Sequence, residues 1–169
     1  MLQEGDTIPD VRVQMGDGSV VPLTDMLGHT LVLYFYPKDD TSGCTSEAID
    51  FSELKAAFEL AGAYVLGISK NSAAEHSKFI AKHDLKVLLA TDTDGSVCDA
   101  FGTWGEKSMY GRKYMGIDRA TFLIDTDGKV VRAWRKVKVP GHAEEVLEAA
   151  RSLQAGGSQA PDAPNASIT

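Results

Sequence analysis

The spacing of apolar residues changes several times along the chain, and each change marks an element. Val11 and Val13 alternate with polar neighbours, Gly16-Asp17-Gly18 supplies turn residues, and Val20-Val21 follow, which predicts a small N-terminal β-hairpin. Residues 30–36 (TLVLYFY) form a continuous apolar run, rich in aromatic and β-branched side chains and stopped by Pro37. A strand buried on both faces has this pattern. After a polar loop at 37–43, Cys44, Ala48, Phe51, Leu54, Phe58 and Ala61 recur at three- and four-residue steps, predicting one amphipathic helix closed by Gly62.

Ala63–Ser69 (AYVLGIS) reads as a second buried strand, 72–83 as a surface helix with Ala74, Phe79 and Ile80 inward, and 86–90 (KVLLA) as a third strand. Asp92 to Gly95 turns the chain into a short helix ending near Phe101. Segment 102–118 is rich in glycine, lysine and aromatics, lacks a period, and reads as a long irregular loop. Ala120–Ile124 and 129–137 are strands around Asp125-Thr126-Asp127-Gly128, a hairpin signal. A last helix spans 140–153, with Val146, Leu147, Ala150 and Leu153 inward, and 154–169 reads as a disordered tail.

Strand–helix–strand units require parallel pairing, and a closing hairpin adds antiparallel strands. The expected fold class is therefore α/β: a mixed central sheet flanked by helices, with an N-terminal β-hairpin. Neither repeat nor linker interrupts residues 1–153, which are expected to form one domain ahead of the tail at 154–169.

Composition narrows the function. Lys+Arg 17 against Asp+Glu 24 gives a net charge of −7, which argues against nucleic acid or an anionic membrane as partner. Residues 1–10 lack the basic-then-apolar order of a secretory leader, and no apolar run is long enough to span a membrane, so a cytoplasmic protein is expected. Two cysteines, Cys44 and Cys98, fit a reducing compartment. His29, His76, His83 and His142 are scattered, without metal-ligand spacing, and each reads as a surface or loop residue. No metal or other cofactor is expected. Asp92-Thr93-Asp94-Gly95 opens like a calcium loop, but its twelfth position is Thr103 rather than Glu, which leaves a turn. Arg132, Arg135, Lys136 and Lys138 read as solvated surface, with docking of an acidic reductant as the alternative; Trp104 and Tyr110 either line a mouth near the site or pack the 102–118 loop.

The chemistry concentrates in 37–47 (PKDDTSGCTSE), where a buried strand ends and a cysteine enters the first turn of a helix. Backbone N–H groups there lack intrahelical partners, and the helix dipole adds partial positive charge, so both favour a thiolate. Thr41 or Ser42 is the natural N-cap; from Thr41 the hydroxyl would reach the Cys44 N–H, or donate to the sulfur or a bound oxygen. Ionisation alone explains little. A thiol of pKa about 8.5 is roughly 3% thiolate at pH 7, and lowering its pKa to about 6 gains about 30-fold in thiolate. Nucleophilicity then falls roughly 10-fold along a Brønsted slope of about 0.45. The remainder must come from donors aimed at the reacting oxygens.

The segment FYPKDDTSGCTSEA resembles the active site of peroxiredoxins, whose signature Pro-x-x-x-Thr/Ser-x-x-Cys is matched by Pro37, Thr41 and Cys44. The resemblance continues through VLGIS (65–69), GTWGEKSMYGRKYMGIDRATFLIDTDGK (102–129) and GHAEEVLEA (141–149), and is closest to the bacterioferritin comigratory protein, or peroxiredoxin Q, group. It implies a thioredoxin-like fold and reduction of hydrogen peroxide and organic hydroperoxides through a cysteine sulfenic acid. It also implies re-reduction by a thioredoxin-like or low-molecular-weight thiol, in a monomer or weak homodimer. Carried over by position, Cys44 is the peroxidatic cysteine, Thr41 and Arg119 activate it, Pro37 shields it, Glu47 orients the arginine, and the Gly43 N–H is a further donor.

Two departures matter. Many members carry a second cysteine five residues after the first, where this chain has Ile49, and Ser42 replaces a common proline. Cys98 is the one internal candidate for resolving the sulfenic acid and otherwise reads as buried and inert. A one-cysteine cycle closed by an external thiol is expected, with a Cys44–Cys98 disulfide as the alternative. Competing functions are a thiol–disulfide oxidoreductase, which needs a Cys-x-x-Cys that this chain lacks, and a non-catalytic binding or holdase module, which has no use for Pro37, Thr41, Cys44 and Arg119 together.

Overall fold

In the computed structural model, residues 2–156 are described. The N-terminal hairpin is β1 (Arg12–Gln14) and β2 (Val20–Pro22), followed by a 3-10 turn, Leu23–Met26, and β3 (Thr30–Phe35). Two helices, α1 (Ser42–Glu53) and α2 (Lys55–Leu60), lead to β4 (Ala63–Ser69); α3 (Ala73–His83) leads to β5 (Leu88–Thr91). Then come α4 (Ser96–Phe101), β6 (Trp104–Met109), β7 (Arg112–Ile117), β8 (Ala120–Ile124), β9 (Val130–Arg135) and α5 (His142–Gly156).

Seven strands build one sheet in the order β2-β1-β5-β4-β3-β8-β9, and β6-β7 stand apart as a hairpin. The helical crossovers make β3, β4 and β5 parallel, while β8 returns antiparallel to β3 and β9 to β8. This is the mixed α/β sheet that the strand and helix order predicts, in a thioredoxin-like arrangement.

Every residue of β3 is buried, because the strand is central and covered on both faces. Alternation then assigns its side chains to two separate cores. Val32, Tyr34 and Tyr36 join Phe51, Phe58, Val146 and Leu147 under α1, α2 and α5. Leu31, Leu33 and Phe35 join Val13, Phe101 and Phe122 on the other face, under α4 and the N-terminal hairpin. Aromatic stacking anchors each core: Tyr34 on Phe51 at 4.7 Å between centroids, and Phe35 on Phe101 at 5.2 Å.

Several expectations give way. The period over 44–61 is carried by two helices, since Leu54 leaves helical geometry (φ −95°, ψ 5°) and its N–H is shared between the Asp50 and Phe51 carbonyls. The stretch 102–118 is not irregular. It is the β6–β7 hairpin, closed by Tyr110-Gly111, both with positive φ (53° and 78°), the geometry of a type I′ turn. Its strands are largely exposed on both faces, so no apolar alternation marks them. The third strand is Leu88–Thr91 rather than 86–90. Residues 154–156, expected in the tail, extend α5, and the rest of the expected tail lies outside the described residues.

On α3, Ala74 is exposed and His76 takes the inward position beside Phe79. His142 is also buried, its Nε2 2.8 Å from Thr121 Oγ1, and burial pushes its pKa down to about 4. The surface reading holds for His29 and His83 but not for these two. Arg135 is not solvated surface either: its guanidinium donates to the carbonyls of Leu2, Phe101 and Gly102, tying the N-terminus to the end of α4.

Gly67 faces Tyr34 across β3–β4, and a Cβ there would stand 2.6 Å from Tyr34 Cζ and 2.8 Å from Leu89 Cδ2. Gly67→Ala is expected to cost roughly 2 kcal/mol through overpacking and lower the thermal midpoint by about 4–8 °C. An unchanged midpoint in a calorimetric scan would show that the Tyr34 ring has room to yield.

Candidate active site

The buried strand β3 ends at Phe35, and loop 37–43 turns the chain into α1. Thr41 is extended (φ −90°, ψ 157°) at the N-cap, and its carbonyl accepts from the Thr45 N–H at 2.8 Å. Cys44 is thus the third helical residue, in the turn whose N–H groups have no intrahelical acceptor. The first turn of α1 contains no acidic residue to offset the dipole's positive end. The expected Thr41 cap bond is not made. Thr41 Oγ1 donates instead to the Lys38 carbonyl at 2.9 Å, fastening the loop and leaving the hydroxyl oxygen as an acceptor.

Register brings the cation. Phe35 of β3 pairs with Ala120 of β8, so Arg119 stands one residue beyond that pair, at the sheet end where the loop to α1 begins. Its backbone carbonyl accepts from Val137 at 3.0 Å. The guanidinium bridges two residues of α1: Nη1 donates to Glu47 Oε1 at 2.6 Å and Nη2 to Cys44 Sγ at 3.4 Å. Cys44 and Glu47 lie three residues apart and so present neighbouring side chains on one helix face. A Cβ on Gly43 would lie 3.1 Å from Arg119 Nη2, so glycine leaves the space through which the guanidinium reaches the sulfur.

Burial sets the electrostatics. Cys44 is 2% exposed and Glu47 1%. Desolvation pushes the Glu47 carboxyl up to about 7, and Arg119 pulls it only partly back. Glu47 Oε2 is buried without a hydrogen-bond partner in the described structure, which accounts for the size of that penalty. Burial works against the Arg119 charge, but Glu47 and Cys44 outweigh it and hold the guanidinium's pKa above its ordinary value. Tyr34, stacked beneath the site, is kept neutral by burial and by the nearby negative groups, Glu47 and Cys44 first among them.

Of the residues singled out by sequence, the structure brings together Cys44, Glu47, Arg119 and Gly43, with Thr41 at the helix entrance and Pro37 half-buried in the loop. Cys98 is not among them. It belongs to the core on the opposite face of the sheet, and its thiol is pushed up to about 12 by burial and by its hydrogen bond to Asp92. Asp92 itself caps α4, accepting from the Val97 and Cys98 N–H groups at 3.2 and 2.9 Å, which is the structural use of the turn that opens like a calcium loop. Trp104 lies under the Lys70 ammonium, 4.9 Å from the ring centroid, while Tyr110 is 98% exposed at the hairpin tip. Ile49 packs against the core that holds Cys44. Sequence reading missed the pairing of Asp39, five residues before the cysteine, with His76 of α3, a buried pair 2.7 Å apart. The one local signal was a histidine three residues before Phe79, on the inward face of α3.

The AhpC/TSA family profile matches residues 5–133. Peroxiredoxin Bcp of Xanthomonas campestris pv. campestris is 46% identical over 143 residues, 85% of this chain and 89% of that one. Peroxiredoxin Bcp of Bacillus subtilis is 41% identical over 152 residues, 90% of this chain and 97% of that one. A Xanthomonas campestris bacterioferritin comigratory protein, studied for alkyl peroxide reduction, superposes with a TM-score of 0.82 at 43% identity, covering 91% of this chain and 98% of that one. A cysteine-to-serine variant of Xylella fastidiosa PrxQ gives 0.85 at 40% identity, covering 90% and 97%. With the profile spanning most of the chain and these relatives matching nearly end to end, the chain belongs to the AhpC/TSA family and is a peroxiredoxin of the bacterioferritin comigratory protein, or peroxiredoxin Q, group.

Proposed function

We propose that this peroxiredoxin reduces hydroperoxides at Cys44, in a cycle that uses no second cysteine of its own. The observation that carries the reading is the Arg119 bridge, with one guanidinium nitrogen on Glu47 and the other 3.4 Å from the Cys44 sulfur. The Cys44 thiolate attacks the nearer peroxide oxygen in line with the O–O bond, a sulfur–oxygen bond forms, and the O–O bond breaks. The departing oxygen leaves as water or an alcohol after taking a proton, and sulfur is oxidised by two electrons to the sulfenic acid. Arg119 and the Gly43 and Cys44 N–H groups are donors fixed where charge develops on the peroxide oxygens. Thr41 Oγ1, its O–H committed to the Lys38 carbonyl, accepts from the O–H of the incoming hydroperoxide. Pro37, half-buried in the loop, is assigned the shielding of the sulfur that the family resemblance implies.

The placement of Cys98 supports an external resolving thiol. Disulfide formation needs Cα atoms within about 7 Å, and the two cysteines belong to cores on opposite faces of the central sheet. A thioredoxin-like or low-molecular-weight thiol attacks the sulfenic sulfur, releases water, and leaves a mixed disulfide that a second thiol cleaves. Both cysteines are free thiols, in keeping with a reducing, cytoplasmic setting, and the reading takes the chain as a monomer or weak homodimer. The site draws on β3, α1 and β8 together, so residues 1–153 are read as one domain. A holdase would have no use for a buried Arg119–Glu47–Cys44 arrangement.

Cys44→Ser is expected to abolish peroxide consumption, and Arg119→Lys to lower it by about 100-fold while unfolding stays cooperative, since lysine lacks the fixed fork of donors. Near-parental turnover in the lysine variant would remove Arg119 from the mechanism. Mass spectrometry after one equivalent of peroxide is expected to find oxygen added at Cys44; a Cys44–Cys98 disulfide would defeat the one-cysteine cycle.

Glu47 gives a pH signature. Its carboxyl holds a proton up to about 7 in the folded chain against an ordinary 4.5, so the folded state binds more protons between those values. Stability is therefore greatest below the ordinary value and declines as pH rises toward the folded one, by roughly 2 kcal/mol between about pH 5 and 8. Glu47→Gln is expected to flatten that decline in urea titrations at the two pH values; an equally steep decline would assign it to other groups.

A further inference from the structure

Loop 37–43 carries Thr41 and delivers the chain to Cys44, so whatever fixes the loop fixes the site. Its deepest anchor is Asp39. Its N–H donates to Asn71 Oδ1 at 2.9 Å, its Oδ1 accepts from the Tyr36 hydroxyl at 2.6 Å, and its Oδ2 lies 2.7 Å from His76 Nδ1. His76 is 1% exposed, and its Nε2 is 3.1 Å from the Ala90 carbonyl. A backbone carbonyl only accepts, so Nε2 carries a hydrogen, and a proton must also lie between Nδ1 and Oδ2. The pair thereby joins the loop to α3 and β5, five residues before Cys44. The outer contacts of the loop, Asp40 with Lys82 and His83, are far more exposed and screened by water, so they are weaker ties.

The cycle makes opposite demands on this loop. A hydroperoxide must meet Cys44, Thr41 and Arg119 in one fixed geometry. A resolving thiol must reach a sulfur that is 2% exposed, which requires the loop and the first turn of α1 to move aside. We propose that Asp39 and His76 are positioning residues: their buried pair holds loop 37–43 closed against α3, favouring oxidation by peroxide and restraining reduction by thiol. This inference rests on Cys44 as the reacting sulfur.

The experiment compares the parent chain with His76→Leu, the double variant Asp39→Ala/His76→Leu, Asp39→Asn and Cys44→Ser. Three rates are read in each: oxidation by hydrogen peroxide, reduction of oxidised Cys44 by dithiothreitol, and alkylation of reduced Cys44 by N-ethylmaleimide, with the modified site identified by mass. Releasing the pair is expected to slow oxidation about 10-fold or more, because small misplacements at a reacting centre are costly, while reduction and alkylation both accelerate several-fold. Asp39→Asn keeps the link, its Nδ2 donating to Nδ1 of a neutral His76 while its Oδ1 accepts from Tyr36, and is expected to stay within about 3-fold of the parent in all three rates. If His76→Leu alone fails to fold because it strands a buried carboxylate, the double variant, with no buried charge left unpaired, carries the same test. All rates moving together, or none moving, in a folded variant of a peroxide-reactive parent would overturn the latch alone. A parent whose Cys44 does not react with peroxide would overturn the Cys44 reading and the latch with it.

Discussion

The candidate active centre depends on holding a guanidinium against a sulfur where little water can help. Arg119 comes from one end of β8 and Cys44 from the start of α1, and neither element by itself directs the cation to the thiol. Glu47 supplies the direction: its Oε1 takes Nη1 at 2.6 Å, and the planar fork then has Nη2 pointing at Sγ, 3.4 Å away. Lysine has no such geometry to transmit. Gly43 completes the constraint by leaving space beside Nη2 that a methyl group would crowd. One antiparallel register, Phe35 with Ala120, therefore sets the distance on which the proposed chemistry depends.

That arrangement is held at a cost. A carboxyl with one oxygen unpartnered is kept in a site that raises its pKa to about 7, and a neighbouring tyrosine hydroxyl is buried without a partner. A core tuned only for stability would replace both groups with hydrocarbon. What offsets the cost lies directly beneath: Tyr34 on Phe51 and Phe51 against Phe58, large apolar surfaces that continue into the inner face of α5. The aromatic stack lets α1 and β3 tolerate one unpartnered polar atom each, Glu47 Oε2 and the Tyr34 hydroxyl.

Much of this was legible in the chain, and what was not shares a physical reason. The buried strand at 30–36, the helix opening at Cys44 and the inner face of α5 follow from apolar period, because burial there is carried by hydrocarbon. Thr41 stood out as a helix cap, but Glu47 and Arg119 came from a family resemblance, since the 72 residues between them hide their meeting. The β6–β7 hairpin was missed because both faces of its strands are largely exposed. His76 and His142 were misread for the converse reason: their partners, Asp39 and Thr121, lie 37 and 21 residues away, and only the fold reveals that these polar groups are satisfied inside.

The two-faced sheet also separates the two thiols chemically. Cys44 lies on the Tyr34 side, next to a cation and at a helix mouth; Cys98 lies on the Phe35 side, hydrogen-bonded to a carboxylate and pushed away from ionisation. The thiolate is the nucleophile in disulfide exchange, so Cys98, as long as it stays buried against Asp92, is held in its unreactive form. Distance and protonation thus act in the same direction, and each alone disfavours an internal disulfide. A chain with Ile49 where many relatives have a second cysteine, and with its remaining cysteine buried in the opposite core, suits the proposed transfer of its sulfenic acid to an external thiol.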